Sequence, residues 1–373
     1  MRWLFFGLLA VHGLIHFMGV AKAFRVADLP QLTTPVTRAA GIGWLAAGLA
    51  LLGTATLFIL APRLWWTVGL PAVLLSQLVI SLSWRDAKFG TVANALVLAG
   101  VIYGFASQGP LSLRAEYRRE VGRRLAQPSA PPPPTEADLA PLPAPVQRYL
   151  RLAGSLGQPR VHHFKATWRG RIRGKPDDPW MEFTAEQYNF VGEPSRFFFM
   201  EATRSGLPVD VYHAFVGESA RMRVRLLSLL SIVDASGPEL ARAETVTLFN
   251  DLCVLAPAAL VDPNIRWEPI DARAVRAHYA VGSNTIGALL SFNEAGELAD
   301  FLSDDRLAAS PDGTHFTRQR WTTPVREYRD FGPRRVATRG EGRWHPPEGE
   351  FAYFEAELLG LEVNAPSPGS TPQ

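Results

Sequence analysis

Acidic side chains in the second half of the chain are the first candidates for acid–base chemistry. Asp304 and Asp305 are adjacent, Glu186 and Asp210 lie on other segments, and His213 follows three residues after Asp210. Carboxylates and imidazoles that are held together can act as general acids and bases. The alternative for the adjacent aspartates is a turn closed by an ion pair with the arginine that follows. Catalysis is therefore expected only if the fold brings these groups to one place.

Two histidines near the N-terminus form a second candidate. His12 and His16 are four residues apart, which places them on one face of a helix, and Asp86 precedes a later apolar run. Together these three residues are candidate ligands for a metal ion or members of a proton relay. The alternative is hydrogen bonding between helices, which buried polar groups in lipid require. A haem held by histidines from two helices is excluded within one chain, because the later apolar runs contain no histidine.

Local motifs for common catalytic sites are absent from the sequence. It contains no HExxH, phosphate-binding loop, GxSxG, CxxC or EF-hand pattern. The single cysteine, Cys253, excludes an internal disulfide and a multi-cysteine metal site. It lies in the apolar run LCVLA and is expected to be a small core side chain. We expect no cofactor, and binding is favoured over enzyme activity, which stays open.

Four long apolar runs occupy the first third of the chain. Each approaches the length of about 20 residues that a helix needs to cross a hydrocarbon core of about 30 Å. Tryptophans lie near several of their ends, as in the aromatic belts of membrane proteins. The sequence predicts a four-helix transmembrane domain over residues 1–109, placed in the plasma (inner) membrane with the lipid bilayer as its partner. The first run lies between Arg2 and Lys22, and the others are Ala39–Ala61, Leu64–Trp84 and Phe89–Ser107.

Charge divides the chain into two unlike halves. Residues 1–145 carry 12 Lys and Arg against 6 Asp and Glu, a net charge of +6, and residues 146–373 carry 26 against 29, a net charge of −3. The basic excess lies beside the apolar runs, where it reports on membrane topology, so nucleic acid is excluded as a partner. With both termini in the cytoplasm, seven basic residues lie inside and five outside. This margin predicts a cytoplasmic soluble domain and leaves the opposite orientation open.

Residues 110–145 are predicted to connect the two halves. Leu113–Leu125 is an arginine-rich amphipathic helix, and Gln127–Pro145 is rich in proline. Proline lacks a backbone donor and favours the extended polyproline II conformation. The sequence therefore predicts a semi-rigid strut that separates the two domains.

Residues 146–364 are predicted to form an antiparallel β-rich soluble domain. Apolar and polar residues alternate from Phe164 to Ile172, with period two, and arginines on the alternate positions of such strands are expected to face solvent. Turn sequences at 293–297, 311–313 and 346–349 indicate hairpins. One long helix is predicted from Pro238 to about Leu255. The expected fold is a membrane helical bundle plus an α+β domain, whose large curved antiparallel sheet surrounds one helix like a half-barrel, with a disordered tail at 365–373.

Several segments of this domain resemble a bacterial family of uncharacterised proteins that is known only as a domain of unknown function. They include PWMEFTAEQYNF (179–190), GLPVDVYHAFVG (206–217), FLSDDR (301–306) and GEGRWHPPEGEFAYF (340–354). The leading HGLIHFMGVAKAF and WRDAKFGTVAN resemble the four-helix module joined to that domain in some members. The resemblance implies no activity. The expected architecture also resembles that of lipoprotein-carrier half-barrels, which is an analogy of fold alone.

Aromatic residues favour a binding function for the β-domain. They can line an apolar cavity for a lipid or another apolar ligand, or they can fill the core. The alternatives are a membrane-tethered enzyme that uses the acidic residues of the sheet and a structural or sensory membrane module. The sequence leaves the oligomeric state open. The aromatic residues in question are Trp168, Trp180, Phe183, Tyr188, Phe197, Phe198, Phe199, Trp267, Trp321, Trp344 and Tyr353.

Overall fold

The structure is a computed structural model that describes residues 2–126 and 132–365. It separates into two compact units, Met1–Ala115 and Glu116–Gln373. The predicted boundaries at residues 109, 145 and 364 stay predictions. The predicted tail lies outside the described residues, apart from Ala365.

The first unit is helical. Four of its helices are long and apolar enough to cross a membrane, as expected from the four apolar runs. Glycines let the first two helices pack closely, since a Cβ on Gly48 would lie 3.0 Å from the carbonyl oxygen of Gly13 and one on Gly19 would overlap the Trp44 ring. The helices are α1 (Arg2–Ala23), α2 (Arg38–Leu60), α3 (Trp65–Leu82), α4 (Trp84–Ala87) and α5 (Gly90–Gln108).

The second unit is mainly β-structure with a few helices. The predicted helix at Leu113–Leu125, which begins three residues before this unit, and the predicted helix from Pro238 are both present with those bounds. The helices are α6 (Leu113–Leu125), α7 (Glu136–Leu139), α8 (Ala144–Leu152) and α9 (Pro238–Leu255). The strands are β1 (His163–Ile172), β2 (Met181–Phe190), β3 (Ser195–Arg204), β4 (Leu207–Val216), β5 (Ser219–Leu226), β6 (Leu230–Ser236), β7 (Ile265–Pro269), β8 (Ala274–Val281), β9 (Asn284–Phe292), β10 (Leu298–Ser303), β11 (Leu307–Ala309), β12 (Phe316–Arg318), β13 (Trp321–Thr322), β14 (Val325–Phe331), β15 (Arg334–Trp344) and β16 (Phe351–Val363).

One large antiparallel sheet dominates this unit. Within the described residues it has fourteen strands in the order β6-β5-β4-β3-β2-β1-β16-β15-β13-β10-β9-β8-β7, with β14 paired to β15. Helix α9 contacts β5 and β6 near one end of this order and β9 and β10 near the other, so the sheet must curl around the helix. The turns at the two ends also meet, because the backbone N–H of Ser283 donates to Glu218 Oε1 at 2.6 Å. The predicted curved half-barrel around one helix is confirmed.

Helix α9 forms the centre of the hydrophobic core. Pro238 occupies its first turn, where the missing N–H removes a donor that would have no partner in the helix. Phe249 stacks on Tyr279 of β8 with ring centroids 4.8 Å apart. Tyr149 of α8 donates to the backbone oxygen of Cys253 at 2.8 Å, which ties this shorter helix to α9. Cys253 is fully buried, as expected for a core side chain.

The part of α6 that belongs to the second unit covers the convex face of the sheet. Tyr117 is buried, packs against Tyr212 of β4 at 5.9 Å between ring centroids, and donates to Glu186 Oε1 at 3.0 Å. Arg223 of β5 donates to Glu116 at 2.5 Å beneath this helix. The sequence predicted a solvated row of arginines here. Arg223 departs from it because α6 shields this part of the face.

The proline-rich segment differs from the predicted strut. Residues 127–131 lie outside the described residues. Over residues 132–145 the chain is folded onto the β-domain: Thr135 caps α7, Leu139 is fully buried in the core, and Arg160 donates to the backbone oxygen of Pro132 at 2.8 Å. Proline removes backbone donors but does not prevent the burial of neighbouring apolar side chains. The leucines between the prolines bury apolar surface and so attach this segment to the domain.

We expect Leu139→Ala to lower the free energy of unfolding of the β-domain by about 2–5 kcal/mol, because it leaves a cavity in the core. The exposed Leu230 gives the control, and Leu230→Ala is expected to change stability by less than about 0.5 kcal/mol. The unique thiol supplies the measurement. Burial raises the pKa of Cys253 well above its ordinary value, so in the full-length chain it should react with an alkylating reagent only on unfolding in urea.

Equal, near-zero effects of the two substitutions on the urea midpoint of Cys253 alkylation would contradict the docking of residues 132–145. In that case this segment would run free of the β-domain in solution.

Candidate functional site

A cavity of about 470 Å³ lies between α9 and the concave face of the sheet. Its volume falls within the range of about 300–1,000 Å³ that is usual for ligand pockets. Strands β1 to β6 together with the adjoining β16 and β15 line it on the side of the sheet, and α9 and residues from the segment Arg306 to Phe316 complete the lining. Its apolar lining includes Trp168, Ile172, Met181, Phe198, Met200, Ala202, Val209, Val211, Met222, Val224, Val233, Leu240, Val254, Leu255, Leu307, Phe316, Trp321, Val325, Trp344, Tyr353 and Phe354.

Strand periodicity decides which aromatic residues reach the cavity. Phe198 of β3 lines it, while Phe197 and Phe199 point to the opposite face of the strand, where Phe199 contacts Tyr117 of α6 at 5.7 Å. Of the aromatic residues singled out in the sequence, five line the cavity and the others lie elsewhere. The five are Trp168, Phe198, Trp321, Trp344 and Tyr353.

A buried polar cluster interrupts the apolar lining where β3 faces α9. Arg196 of β3 donates to Asp251 Oδ2 at 2.7 Å and to Glu244 Oε2 at 3.3 Å, and both carboxylates belong to α9. Gln187 and Asn189 of β2 also donate to Asp251 Oδ2, at 2.7 and 3.1 Å. These bonds satisfy ionised groups inside the core and hold α9 against the sheet.

The two carboxylates of this cluster differ in their surroundings. Burial disfavours the ionised form of Glu244, but His213, Arg196 and Arg306 together outweigh burial and hold the pKa of Glu244 well below its usual range. Arg196 is the cation that favours the ionised form of Asp251, and it does not outweigh burial, so the pKa of Asp251 is raised. Glu244 is therefore the carboxylate whose negative charge the cavity wall supports most strongly.

Arg306, like Arg196, lies beside Glu244 in the cavity wall. Its guanidinium lies over the rings of Trp321 and Trp344, at 5.5 and 5.9 Å from their centroids. Its nearest carboxylate oxygen is Glu244 Oε1, at 3.7 Å. His213 Nδ1 lies 3.5 Å from the same oxygen. The polar part of the cavity thus brings two arginines and one histidine around one carboxylate.

The structure places Asp304 and Asp305 in ion pairs at the end of β10. Asp304 accepts two hydrogen bonds from Arg320, at 2.8 and 3.2 Å. Asp305 accepts from Arg242 at 2.7 Å and Arg318 at 2.6 Å, and its second oxygen accepts from the backbone N–H of Gly287 at 2.7 Å. Neither carboxylate lines the cavity. The arrangement is that of a turn held by ion pairs.

The other acidic candidates lie on the convex side of the sheet. Glu186 is bonded to Tyr117 and lies 3.3 Å from Lys165, and Asp210 accepts from Ser228 Oγ at 2.6 Å. Of these candidates only His213 reaches the cavity, because it lies three residues after Asp210 on β4 and therefore on the other face of the sheet. The fold therefore separates the acids that a joint catalytic site would need.

The N-terminal histidines join a polar cluster inside the helical unit. His12 Nε2 lies 2.9 Å from Asn94 Oδ1, His16 Nε2 lies 2.8 Å from Ser76 Oγ, and Ser76 bonds to Asn94 at 2.9 Å. Asp86 is not part of it and instead accepts hydrogen bonds from Thr33 and Thr34 at 2.7 and 2.6 Å. Among the described residues no group of three or more His, Cys, Asp or Glu side chains could hold a metal ion.

Apart from His213, the polar residues of the cavity discussed above were missed at the sequence level. Glu244 and Asp251 are seven residues apart, two turns on one face of a helix whose side chains are mostly buried. Arg196 opens the apolar run of β3. Charges on buried faces of neighbouring elements signal a paired cluster, but the pairing itself requires the register of β3 against α9.

The fold and the cavity define a half-barrel with an apolar pocket and a buried polar wall. Residues 132–356 match the family of unknown function DUF6544, and the chain belongs to this family. The resemblance to a domain of unknown function is thereby confirmed. The match begins within the predicted linker.

The chain is also similar to solved structures. A LolA superfamily protein from Nitrosomonas europaea is 13% identical, with 58% of this chain and 93% of that one covered at a TM-score of 0.32. A DUF1329 family protein from Desulfovibrio piger is 12% identical, with 59% and 92% covered at a TM-score of 0.35. Both TM-scores are below 0.5, and nothing about function follows from them. No curated protein matches the sequence.

We expect Arg196→Met to destabilise the β-domain by about 3–5 kcal/mol, because it strands two buried carboxylates. Arg221 offers a matched control on the same sheet: it forms a two-bond pair with Asp234 at 2.8 and 2.7 Å, but both side chains are about half exposed. Arg221→Met should therefore cost less than about 1 kcal/mol.

The urea midpoint of Cys253 alkylation in the full-length chain measures both effects. Equal losses in the two variants would mean that the Arg196 cluster does not hold α9 to the sheet.

Proposed function

We propose that the β-domain binds a lipid or another long-chain apolar ligand in the cavity between α9 and the sheet. The single observation that carries this proposal is a cavity of about 470 Å³ with a mainly apolar lining beside the hydrophobic core. Concave, mainly apolar pockets of this size are the usual sites at which proteins bind small apolar ligands.

The methionines of the β-domain support a flexible ligand. The sequence has three methionines after residue 116, and all three, Met181, Met200 and Met222, line the cavity. Methionine is unbranched and polarisable, so its side chain adapts to irregular or variable apolar surfaces. Such a lining suits a hydrocarbon chain, which has no fixed shape of its own.

The rival enzyme function has less support. It would draw on Asp304, Asp305, Glu186 and Asp210, of which the first two are held by arginines and the other two lie across the sheet. A general acid and base must reach one substrate. The separation of these four carboxylates favours binding over catalysis.

We also infer that the first unit is a multi-pass module of the plasma (inner) membrane. Its helices are long and apolar enough to cross, and most of the exposed large apolar side chains of the described residues belong to it, among them Leu14, Ile15, Leu49 and Leu74. Patches of this extent on a protein surface signal contact with lipid or with another apolar partner. The β-domain would then work close to a bilayer, which is a source of apolar ligands.

Photolabelling tests ligand binding. Membranes containing the full-length chain are exposed to palmitic acid that carries a mid-chain diazirine, and the labelled peptides are identified by mass spectrometry. Peptides around Met200 and Met222 should carry the label. In Ala202→Trp, the indole would occupy part of the cavity and most labelling should disappear. Thr203→Trp, next in sequence but exposed on the other face of β3, should label like the unmodified chain.

Cys253 alkylation confirms that each variant is folded. Undiminished labelling in a folded Ala202→Trp protein, or label confined to the convex face in the unmodified chain, would contradict the proposal.

The positive-inside margin places both termini in the cytoplasm in this proposal. A phosphatase that is active only outside the cytoplasm should therefore be silent when fused after Gln373. The same phosphatase inserted after Asp28, in the segment between α1 and α2, should be active. The reverse pattern would place the β-domain outside the cytoplasm.

A further inference from the structure

Arg306 is a largely buried cation whose side chain pairs with Glu244 but makes no hydrogen bond in the described part of the chain. Its side chain is 12% exposed, and within residues 2–126 and 132–365 its guanidinium donates to no acceptor. The Nε atom is fully buried and unpaired, and the nearest carboxylate oxygen, Glu244 Oε1, is 3.7 Å away. A guanidinium has five N–H donors, and a buried polar group without a partner costs free energy. Such a group in a native fold needs an explanation.

The other arginines of the cavity wall differ from Arg306 in this respect. Arg196 donates to two carboxylates. Arg173 donates to the backbone oxygens of Ala352 and Pro176, and Arg339 is paired with Glu327 at 3.0 Å. The fold therefore supplies acceptors for arginines at this surface as a rule. Arg306 is the cavity arginine whose donors are left available.

The unpaired polar atoms around the cavity are of one chemical kind. Among the cavity-lining residues that the structure describes, the buried side-chain atoms without a hydrogen bond are Trp168 Nε1, Trp321 Nε1, Arg306 Nε and His213 Nδ1, of which His213 Nδ1 still lies 3.5 Å from Glu244 Oε1. The two indoles and the guanidinium can only donate, and the imidazole nitrogen can donate. None of these atoms is a carboxylate or carbonyl oxygen. The hydrogen-bonding capacity that is left unused at the polar wall of the cavity is therefore that of donors.

Arg306 is held in place to meet an acceptor. Its guanidinium lies over Trp321 and Trp344, which restrict its plane and shield it from solvent. A planar guanidinium in fixed orientation matches the two oxygens of a carboxylate or phosphate better than an ammonium group would. The methionines and the other apolar residues extend from this point over the rest of the cavity.

We propose that the ligand is an acidic amphiphile whose carboxylate or phosphate head binds Arg306 while its hydrocarbon chain occupies the apolar part of the cavity. This inference rests on the proposed function and adds the head group to it. Two features carry it together: the guanidinium without a hydrogen bond and the exclusive presence of donors among the unsatisfied atoms of the wall. An apolar ligand without a head group would leave all of them unpaired.

The test compares diazirine probes with one chain and different heads: palmitic acid, hexadecyl phosphate, methyl palmitate and hexadecanol. In membranes containing the full-length chain, the two acids should label the cavity peptides more than the ester and the alcohol do. In Arg306→Gln the labelling by the acids should fall roughly tenfold or more, the effect of losing a charged hydrogen bond, while the alcohol is unaffected. The ratio between the two acids distinguishes a carboxylate from a phosphate ligand.

Arg320→Gln is the matched control, since Arg320 is an exposed arginine that binds Asp304 outside the cavity, and it should label like the unmodified chain. The comparison of heads in the unmodified chain needs no variant, so the inference stays testable if Arg306→Gln fails to fold. Equal cavity labelling by all four probes would overturn the head-group inference and leave the proposed function standing. No cavity labelling by any probe would overturn the proposed function itself.

Discussion

The second unit depends on one geometric constraint: a single helix must cover the concave face of a very large sheet. Helix α9 has 18 residues and contacts strands near both ends of the strand order, so the sheet curls around it. One helix with a diameter of about 10–12 Å cannot fill the space that such a curl encloses. Where Phe249 and its neighbours meet β8 to β10 the core is closed, and toward β1 to β6 a cavity remains.

The polar cluster makes this incomplete packing stable. A helix held only by apolar contacts could slide toward the empty side, where the same contacts are available. Arg196 opposes such a shift of the helix, because it engages Glu244 and Asp251, which are two turns apart along α9. Such a cluster is costly to form but specifies one register of helix against sheet, which is the use of buried ionic groups with the best physical rationale. It also gives the cavity a wall of fixed polarity, at which Arg306 lies 3.7 Å from Glu244 without a hydrogen bond.

The convex face of the sheet is covered in part by α6, and ion pairs lie on it. Tyr117 packs on β4, and Arg124 donates to Glu193 at 2.8 Å, so an arginine-rich helix is bound to the sheet by a few aromatic and ionic contacts. Along β3 and β4 adjacent residues serve different surfaces: Phe198 and His213 face the cavity, and Phe199 and Tyr212 face the helix. Strands buried on both faces read as continuous apolar runs, which conceals the face that each side chain occupies.

The sequence by itself determined the elements of this protein. Long apolar runs specify the first four long helices, alternation specifies β1, β5 and β8, and Pro238 fixes the start of α9, because each of these signals is local. Tertiary structure alone decided the rest. Residues 132–145 fold onto the domain because Leu139 finds a core to enter, which proline content does not reveal. The acids singled out in the sequence separate onto different faces, and Glu244, Asp251, Arg196 and Arg306 come together from distant segments, because strand register and the curl of the sheet set those distances.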